Sequence, residues 1–126
     1  MRVLLDTAVL IFAIEAPERL SNRAHQVLKN PENVRELSSV SLAEIAVKST
    51  LGKLNMPAAA VHQALDDMEV RVLPFAAEHA FRLFELPLHH NDPFDRQIIA
   101  QAIAEDIPLV SPDRHFRLYA GLKVIW

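Results

Sequence analysis

The chain has no cysteine and only two glycines among its 126 residues. The lack of cysteine excludes disulfides, iron–sulfur clusters and thiolate zinc sites, and it fits a reducing compartment. Gly52 and Gly121 both lie far from the end of the first predicted strand. A glycine-rich loop that cradles phosphates therefore cannot follow that strand, which excludes dinucleotide-binding and P-loop sites.

The chain also has no excess of positive charge, because 13 basic residues face 16 acidic ones, for a formal net charge of −3. Strong binding to duplex DNA needs a basic surface, and this composition does not supply one. A nucleic acid would have to be bound by a local patch or through metal ions.

Long uncharged apolar runs are absent as well. The amino-terminal stretch MRVLLDTAVLIFAIEA is apolar, but it carries Asp6 and Glu15 and has no small-residue cleavage site. It is too short and too charged to cross a membrane, and it does not resemble a signal peptide. We therefore expect a cytoplasmic protein with no membrane contact.

Segments of strand and helix character alternate along the chain. An apolar fraction of 51% suits one hydrophobic core, so residues 1–126 are predicted to form a single domain. Strands separated by helices predict right-handed βαβ units and a mainly parallel central sheet flanked by helices, an α/β fold. The predicted strands are Arg2–Leu5, ELSSVS, VRVLPF, IPLVS and LKVIW; the predicted helices cover residues 9–14, 42–51 and 77–85, run from Ser21 to Lys29, and begin at Pro57 and Asp92.

Capping residues mark the starts of three of these helices, and Ser21 is predicted to cap the helix that ends at Lys29. Ser41 is predicted to cap helix 42–51, with Glu44 at the capping-box position three residues later. Asp92 is predicted to cap the helix that begins at Pro93, because proline is favourable at a first helical position.

Four acidic side chains are predicted to lie at one edge of the sheet. Asp6 and Asp113 each follow an apolar strand. Glu44 and Asp95 each lie in the first turn of a predicted helix. Ligands of open parallel sheets bind beyond the carboxyl ends of the strands, where helices begin. We therefore expect all four carboxylates to face that edge.

Carboxylates crowded at one edge repel one another and raise each other's pKa values unless a cation neutralises them. Oxygen ligands without cysteine favour Mg²⁺ or Mn²⁺ over zinc. Such an ion lowers the pKa of a bound water and holds a phosphate oxygen, which is the chemistry of phosphodiester hydrolysis.

Most of these acidic residues also have a purely structural interpretation. Asp92 suits a helix cap, and Asp95 suits a favourable charge at a helix amino terminus. Glu44 suits a capping box with Ser41. Asp113, in the sequence SPD, suits a turn.

Asp6 is the exception, because a carboxylate directly after VLL and before another apolar run is expected to be partly buried and to need a partner. His89 and His90 can act as metal ligands or bases. They lack ligand spacing such as HExxH, and we expect them to be solvated residues of a polar loop.

Four segments of the chain together resemble a known family. They are LLDTAVLIFA, SSVSLAEIAVKSTLGKL, LHHNDPFDRQIIAQAIAEDIPLVSPDRHF and the closing VIW. In this order and at these spacings they resemble a PIN-domain ribonuclease of the VapC toxin type over nearly the whole chain. The resemblance implies a Mg²⁺- or Mn²⁺-dependent endoribonuclease with a central parallel sheet, usually dimeric and held inactive by a cognate antitoxin.

The resemblance also implies roles for individual residues. The catalytic and metal-binding acidic cluster of the family maps onto Asp6, Glu44, Asp95 and Asp113. Positions that resemble supporting residues around such a cluster are Thr7, Asp92 and Ser111. The chain departs from many relatives at Pro112, where a basic residue often precedes the aspartate, so that a backbone donor and a positive charge are lost.

The sequence therefore predicts the toxin of a type II toxin–antitoxin system, a metal-dependent endoribonuclease that hydrolyses phosphodiester bonds in single-stranded or looped RNA. We expect a homodimer with an antitoxin protein as its partner. The alternative is a catalytically silent PIN-like module that binds RNA or protein, although such a module has no need to keep four like charges together. A phosphatase with an aspartyl nucleophile is disfavoured, since it needs an aspartate where Ala8 stands.

Overall fold

Five strands form one sheet in the computed structural model, which describes residues 1–126. All neighbouring strands are parallel, and their order is β3–β2–β1–β4–β5. The predicted parallel α/β architecture is confirmed. The strand Arg2–Leu5 has its predicted bounds, and the other four predicted strands are present in shortened or shifted form. The strands are β1 (Arg2–Leu5), β2 (Val34–Ser38), β3 (Val70–Leu73), β4 (Leu109–Val110) and β5 (Val124–Ile125).

Six α-helices connect the strands, and each predicted helix is present. The first begins at Thr7 rather than at residue 9, and the fifth ends at Arg82 rather than at residue 85. No helix combines the length and the apolar character that crossing a bilayer requires. The helices are α1 (Thr7–Glu15), α2 (Asn22–Lys29), α3 (Ser39–Thr50), α4 (Ala58–Asp67), α5 (Ala77–Arg82) and α6 (Pro93–Glu105), with short 3₁₀ turns at Pro17–Arg19 and Arg114–Leu118.

The start of α3 differs from the prediction. Ser38, not Ser41, is its N-cap, and Ser38 Oγ accepts a hydrogen bond from Val40 N at 3.0 Å. Ser41 is fully buried, and its Oγ accepts a hydrogen bond of 2.8 Å from Thr7 Oγ1. Since several serines in this stretch suit a cap, tertiary contacts decide which of them is used. Glu44 lies beyond the first turn of α3, and the predicted capping box with Ser41 is wrong.

The central strand β1 lies between β2 and β4 and is buried on both faces. Val3 and Leu5 pack into one apolar cluster, and Leu4 packs into a second, because side chains alternate across a strand. The chain order reverses at this point, since β2 and β3 follow on one side of β1 and β4 and β5 lie on the other. Open parallel sheets bind ligands at such a switch point, beyond the carboxyl ends of the strands.

A candidate metal centre

An open pocket lies at the switch point, where β1 and β4 end. Its wall includes the four predicted acidic residues, so the fold brings all of them together. Pro112 also belongs to the wall and does not move Asp113 away from the cluster. The lining residues are Asp6, Thr7, Ala8, Ile11, Glu44, Lys48, Asp92, Asp95, Pro112 and Asp113.

Asp6 directly follows strand β1 and is buried, with a residue exposure of 4%. Ser111 Oγ donates a hydrogen bond to Asp6 Oδ2 at 2.8 Å, so the predicted need for a partner is confirmed. Burial and, less strongly, the negative charge of Glu44 raise the pKa of Asp6 to about 6, although the hydrogen bond from Ser111 opposes the rise. The folded protein therefore holds Asp6 in an environment that disfavours its negative charge.

Asp92 fixes the amino terminus of α6 and, with it, Asp95. Asp92 Oδ1 accepts hydrogen bonds from Phe94 N at 2.8 Å and from Asp95 N at 3.3 Å, which confirms the predicted N-cap. Burial first, and then the neighbouring charges of Asp6, Asp92 and Glu44, together raise the pKa of the Asp95 carboxyl to about 8. Asp95 thus carries the strongest sign of crowded negative charge in the pocket.

Glu44 reaches the pocket from α3 and is nearly inaccessible to water, with 4% of the residue exposed. One of its oxygens, Oε2, is paired with Lys48 Nζ one helical turn later. The other oxygen, Oε1, is buried without a hydrogen-bond partner. Lys48 was not singled out from the sequence, although its spacing of four residues from Glu44 is the usual signal of an ion pair on a helix.

Asp113 is the N-cap of the 3₁₀ turn Arg114–Leu118 and also lines the pocket, so its structural and its functional interpretation are compatible. Asp113 Oδ1 accepts a hydrogen bond from His115 N at 2.9 Å. Burial alone would raise the pKa of Asp113, but hydrogen bonds from His115 and His90 outweigh it and hold the pKa below its ordinary value. Asp113 therefore ionises readily, whereas the neighbouring Asp6 and Asp95 have raised pKa values and do not.

His90 lies against the acidic cluster and is not a solvated loop residue, so that expectation was wrong. Its Nε2 is 3.1 Å from Asp113 Oδ2 and 3.2 Å from Asp95 Oδ2. Its Nδ1 accepts a hydrogen bond from Asp92 N at 3.1 Å. His89, by contrast, is exposed as expected. The only sequence signal for His90 is its position two residues before the helix cap.

The donor set of the pocket fits a hard divalent cation. Lys48 is the one cationic side chain in the wall, against five carboxylates. The unpartnered Glu44 Oε1 is costly to bury unless a cation or a donor reaches it. Oxygen ligands in this number are those that Mg²⁺ and Mn²⁺ prefer.

Substitution of Asp92 is expected to separate helix capping from metal binding. Asp92→Asn should leave the melting temperature near that of the parent protein, since asparagine caps about as well as aspartate. Asp92→Ala should cost roughly 1 kcal/mol of unfolding free energy, measured by denaturant titration. If Asp92→Asn alone abolishes Mg²⁺ binding in a stably folded protein, Asp92 is a metal ligand and not mainly a cap.

Comparisons with known proteins agree with this fold. The family model described as PIN domain matches residues 3–122. No curated protein matches the chain in sequence. A similar fold occurs in DNA-bound VapBC2 of Rickettsia felis, with a TM-score of 0.73 and 23% identity, over 98% of this chain and 97% of that chain. DNA-bound VapBC of Salmonella typhimurium is similar with a TM-score of 0.73 and 18% identity, over 98% of this chain and 96% of that chain. FitAcB of Neisseria gonorrhoeae is also similar, with a TM-score of 0.63 and 19% identity, over 97% of this chain and 95% of that chain.

Proposed function

This chain belongs to the PIN-domain family, and we propose that it is a metal-dependent endoribonuclease, the toxin of a type II toxin–antitoxin pair. Family membership supports a hydrolase that acts on nucleic acid. The observation that carries the proposal is the convergence of Asp6, Glu44, Asp95 and Asp113 on one open pocket at the switch point of the sheet. A catalytically silent module that binds RNA or protein is the alternative, but it does not account for the cost of crowding these carboxylates.

We assign Asp6 and Asp95 as the main ligands of Mg²⁺ or Mn²⁺, with Glu44 and Asp113 completing the set directly or through water. An ion of this kind supplies positive charge for a phosphate oxygen and makes an attacking water more acidic. The raised pKa values of Asp6 and Asp95 support the assignment, because a divalent cation offsets both causes of the rise, burial first and then the neighbouring negative charges.

Other side chains of the protein hold these ligands in place. The hydrogen bond from Ser111 to Asp6 fixes the orientation of a buried carboxylate. The buried bond between Thr7 and Ser41 joins the start of α1 to α3, the helix that carries Glu44. Thr7 and Ser111 therefore act as supporting residues and not as ligands.

Lys48 is proposed to contact the substrate. Its ammonium group lies in the pocket wall and donates to Glu44 Oε2, and an ammonium group has three N–H donors, so it can also contact a second acceptor. A phosphodiester that enters the pocket brings negative charge to an already acidic site. A lysine beside the ligands reduces the repulsion that this charge meets.

The proposed substrate is single-stranded or looped RNA. A formal charge of −3 gives the protein no broad basic surface on which a rigid duplex would bind. The carboxylates line an open pocket at the edge of the sheet, where a flexible strand can bring one phosphodiester into contact. A local approach of this kind needs few charges outside the pocket.

Cleavage is expected to require Mg²⁺ or Mn²⁺ and to stop in EDTA. The test incubates the purified protein with labelled single-stranded RNA in EDTA, then adds excess Mg²⁺ and follows the fragments on a gel. Duplex RNA of the same sequence serves as the control and should be cleaved much less. Undiminished cleavage in chelated buffer would refute the metal mechanism, and RNA binding without cleavage in both buffers would favour the silent module.

We also propose that the protein is cytoplasmic and is inhibited by a cognate antitoxin. A member of the VapBC family of toxin–antitoxin systems from Mycobacterium tuberculosis has a similar fold, with a TM-score of 0.60 and 19% identity, and this supports a protein partner of this class. The acidic pocket suggests how such a partner would inhibit: an apolar helix covers the edge of the sheet and places a basic side chain among the carboxylates.

Exposed apolar side chains support the proposal of a homodimer. Val47 and Leu51 on α3 are 45% and 62% exposed, and Phe81 and Phe84 are 70% and 87% exposed. Contact between subunits removes such surface from water. Light scattering at micromolar concentration is expected to give twice the monomer mass of 14.2 kDa. A strict monomer under these conditions would contradict the homodimer.

A further inference from the structure

The ring of His90 lies between two of the proposed metal ligands. Its Nε2 is 3.1 Å from Asp113 Oδ2 and 3.2 Å from Asp95 Oδ2. Asp95 is carried by α6, whereas Asp113 follows β4, so the two carboxylates come from separate parts of the chain. His90 is the side chain that connects them.

The second nitrogen of the ring determines what Nε2 can do. Nδ1 lies 3.1 Å from the backbone nitrogen of Asp92, which only donates, so Nδ1 must carry a lone pair. In a neutral imidazole the proton then resides on Nε2, which donates a hydrogen bond to Asp113. Direct coordination would need a lone pair on Nε2, and this arrangement of partners opposes it.

The ring has little freedom to turn. It packs edge-on against the fully buried Phe116, with ring centroids 5.7 Å apart and an interplanar angle of 66°. The backbone nitrogen of His90 donates to Tyr119 Oη at 2.9 Å. The ring does not line the pocket, whereas Asp95 and Asp113 do.

We propose that His90 is a positioning residue, which holds Asp95 and Asp113 at a spacing ready for a divalent cation without binding the cation itself. The inference rests on the metal-dependent function proposed above. Once both carboxylates are ionised, loss of His90 would let their repulsion drive them apart, and cation binding would have to bring them back together. Loss of such a partner behind metal ligands typically lowers metal affinity roughly 10–100-fold.

Two substitutions separate the roles of the two ring nitrogens. His90→Gln keeps an N–H donor near the position of Nε2 and loses the acceptor at Nδ1. His90→Asn keeps an acceptor near Nδ1 and is too short to reach the carboxylates. Calorimetric titration with Mn²⁺ alone is expected to give His90→Gln an affinity close to that of the parent, and His90→Asn an affinity lower by roughly 10–100-fold.

The opposite order, with His90→Asn like the parent and His90→Gln impaired, would overturn the inference, because His90 would then only anchor the backbone of Asp92. Equal affinities in all three proteins, or equal losses in both variants, would overturn it too. Losses larger for Zn²⁺ than for Mg²⁺ would make His90 a direct ligand, since imidazole favours zinc. A parent protein that binds neither Mn²⁺ nor Mg²⁺ would instead overturn the proposed function.

Folding of the variants is checked by thermal melts in EDTA. If His90→Asn does not fold, the ¹⁵N spectrum of the metal-free parent still tests the inference. A protonated Nε2 and an unprotonated Nδ1 are expected for the His90 ring. A proton on Nδ1 in place of Nε2 would overturn the positioning role.

Discussion

In metal-free buffer, Asp6→Asn and Asp95→Asn are expected to melt at the same temperature as the parent or higher, while both lose Mg²⁺ binding and RNA cleavage. Burial and neighbouring charges raise the pKa of Asp6 to about 6 and that of Asp95 to about 8. Each carboxyl must therefore either carry its charge at a cost or take up a proton when the protein folds. An amide of the same shape avoids both costs and keeps most of the hydrogen bonds.

The functional loss in the same variants is expected to be large. Asp6 and Asp95 are the proposed main ligands, and removal of even an outer partner of a metal site typically costs roughly 10–100-fold in affinity or activity. Cleavage by either variant should therefore fall by at least that factor. Opposite effects on stability and activity are what a functional site predicts, because such sites tolerate local strain.

A matched control is Asp66→Asn, which makes the same chemical change at an exposed position near the end of α4. It should alter neither the melting temperature in EDTA nor the rate of cleavage. The decisive comparison sets thermal melts with and without Mg²⁺ beside a cleavage assay. If Asp6→Asn and Asp95→Asn melt several degrees lower in EDTA yet cleave like the parent, the acidic cluster is scaffolding and the nuclease proposal fails.

The sheet, and the proximity of Asp6 and Asp113, were predictable because uninterrupted apolar runs indicate strands that are buried on both faces. Two such runs are VLL, which precedes Asp6, and PLV, which precedes Ser111, and each belongs to a strand with buried residues on both faces. Parallel strands end at a common edge, so Asp6 and Asp113 were expected to face the same place. The structure makes β1 and β4 neighbours, which brings those two ends together.

The register between these strands was not predictable, and it explains the partner of Asp6. Leu5 pairs with Val110, so the next residues, Asp6 and Ser111, lie side by side where the strands end. Short apolar runs such as PLV can pair in several registers with similar burial. The choice depends on the packing of the whole sheet, which a single run does not encode.

Helix α3 and the loop before α6 show two other limits of the sequence. Neighbouring serines suit the cap equally well, and only the buried contact of Ser41 with Thr7 distinguishes them. The polar loop that carries His90 has no periodic pattern, so nothing local indicated that its ring would turn toward Asp95 and Asp113. Long-range contacts decide both features, and both bear on the candidate metal centre.

Without metal, the protein is expected to lose stability as the pH rises from the ordinary carboxyl pKa of 3.8 to about 8. Below that ordinary value Asp95 is protonated in both states, and its contribution to the free energy of unfolding is fully present. At higher pH the unfolded chain has released this proton while the folded protein still holds it, so stability falls. The contribution is lost once the pH passes the raised pKa in the folded protein. Asp6 adds a similar loss that ends at about 6.

Mg²⁺ is expected to reverse this trend, because it binds the ionised carboxylates and competes with their protons. The rise in melting temperature caused by Mg²⁺ should therefore be larger near pH 8 than near pH 6, the two raised pKa values. The test is a set of thermal melts of the parent and Asp95→Asn at both pH values, in EDTA and in Mg²⁺. Histidines and other groups titrate alike in the two proteins, so the difference between their melting temperatures reports on Asp95. In EDTA, the melting temperature of the parent should fall by several degrees more than that of Asp95→Asn between pH 6 and pH 8, the two raised pKa values. Equal losses would mean that the pKa of Asp95 is not raised by crowded charges, and the proposed metal centre would lose one of its two main ligands.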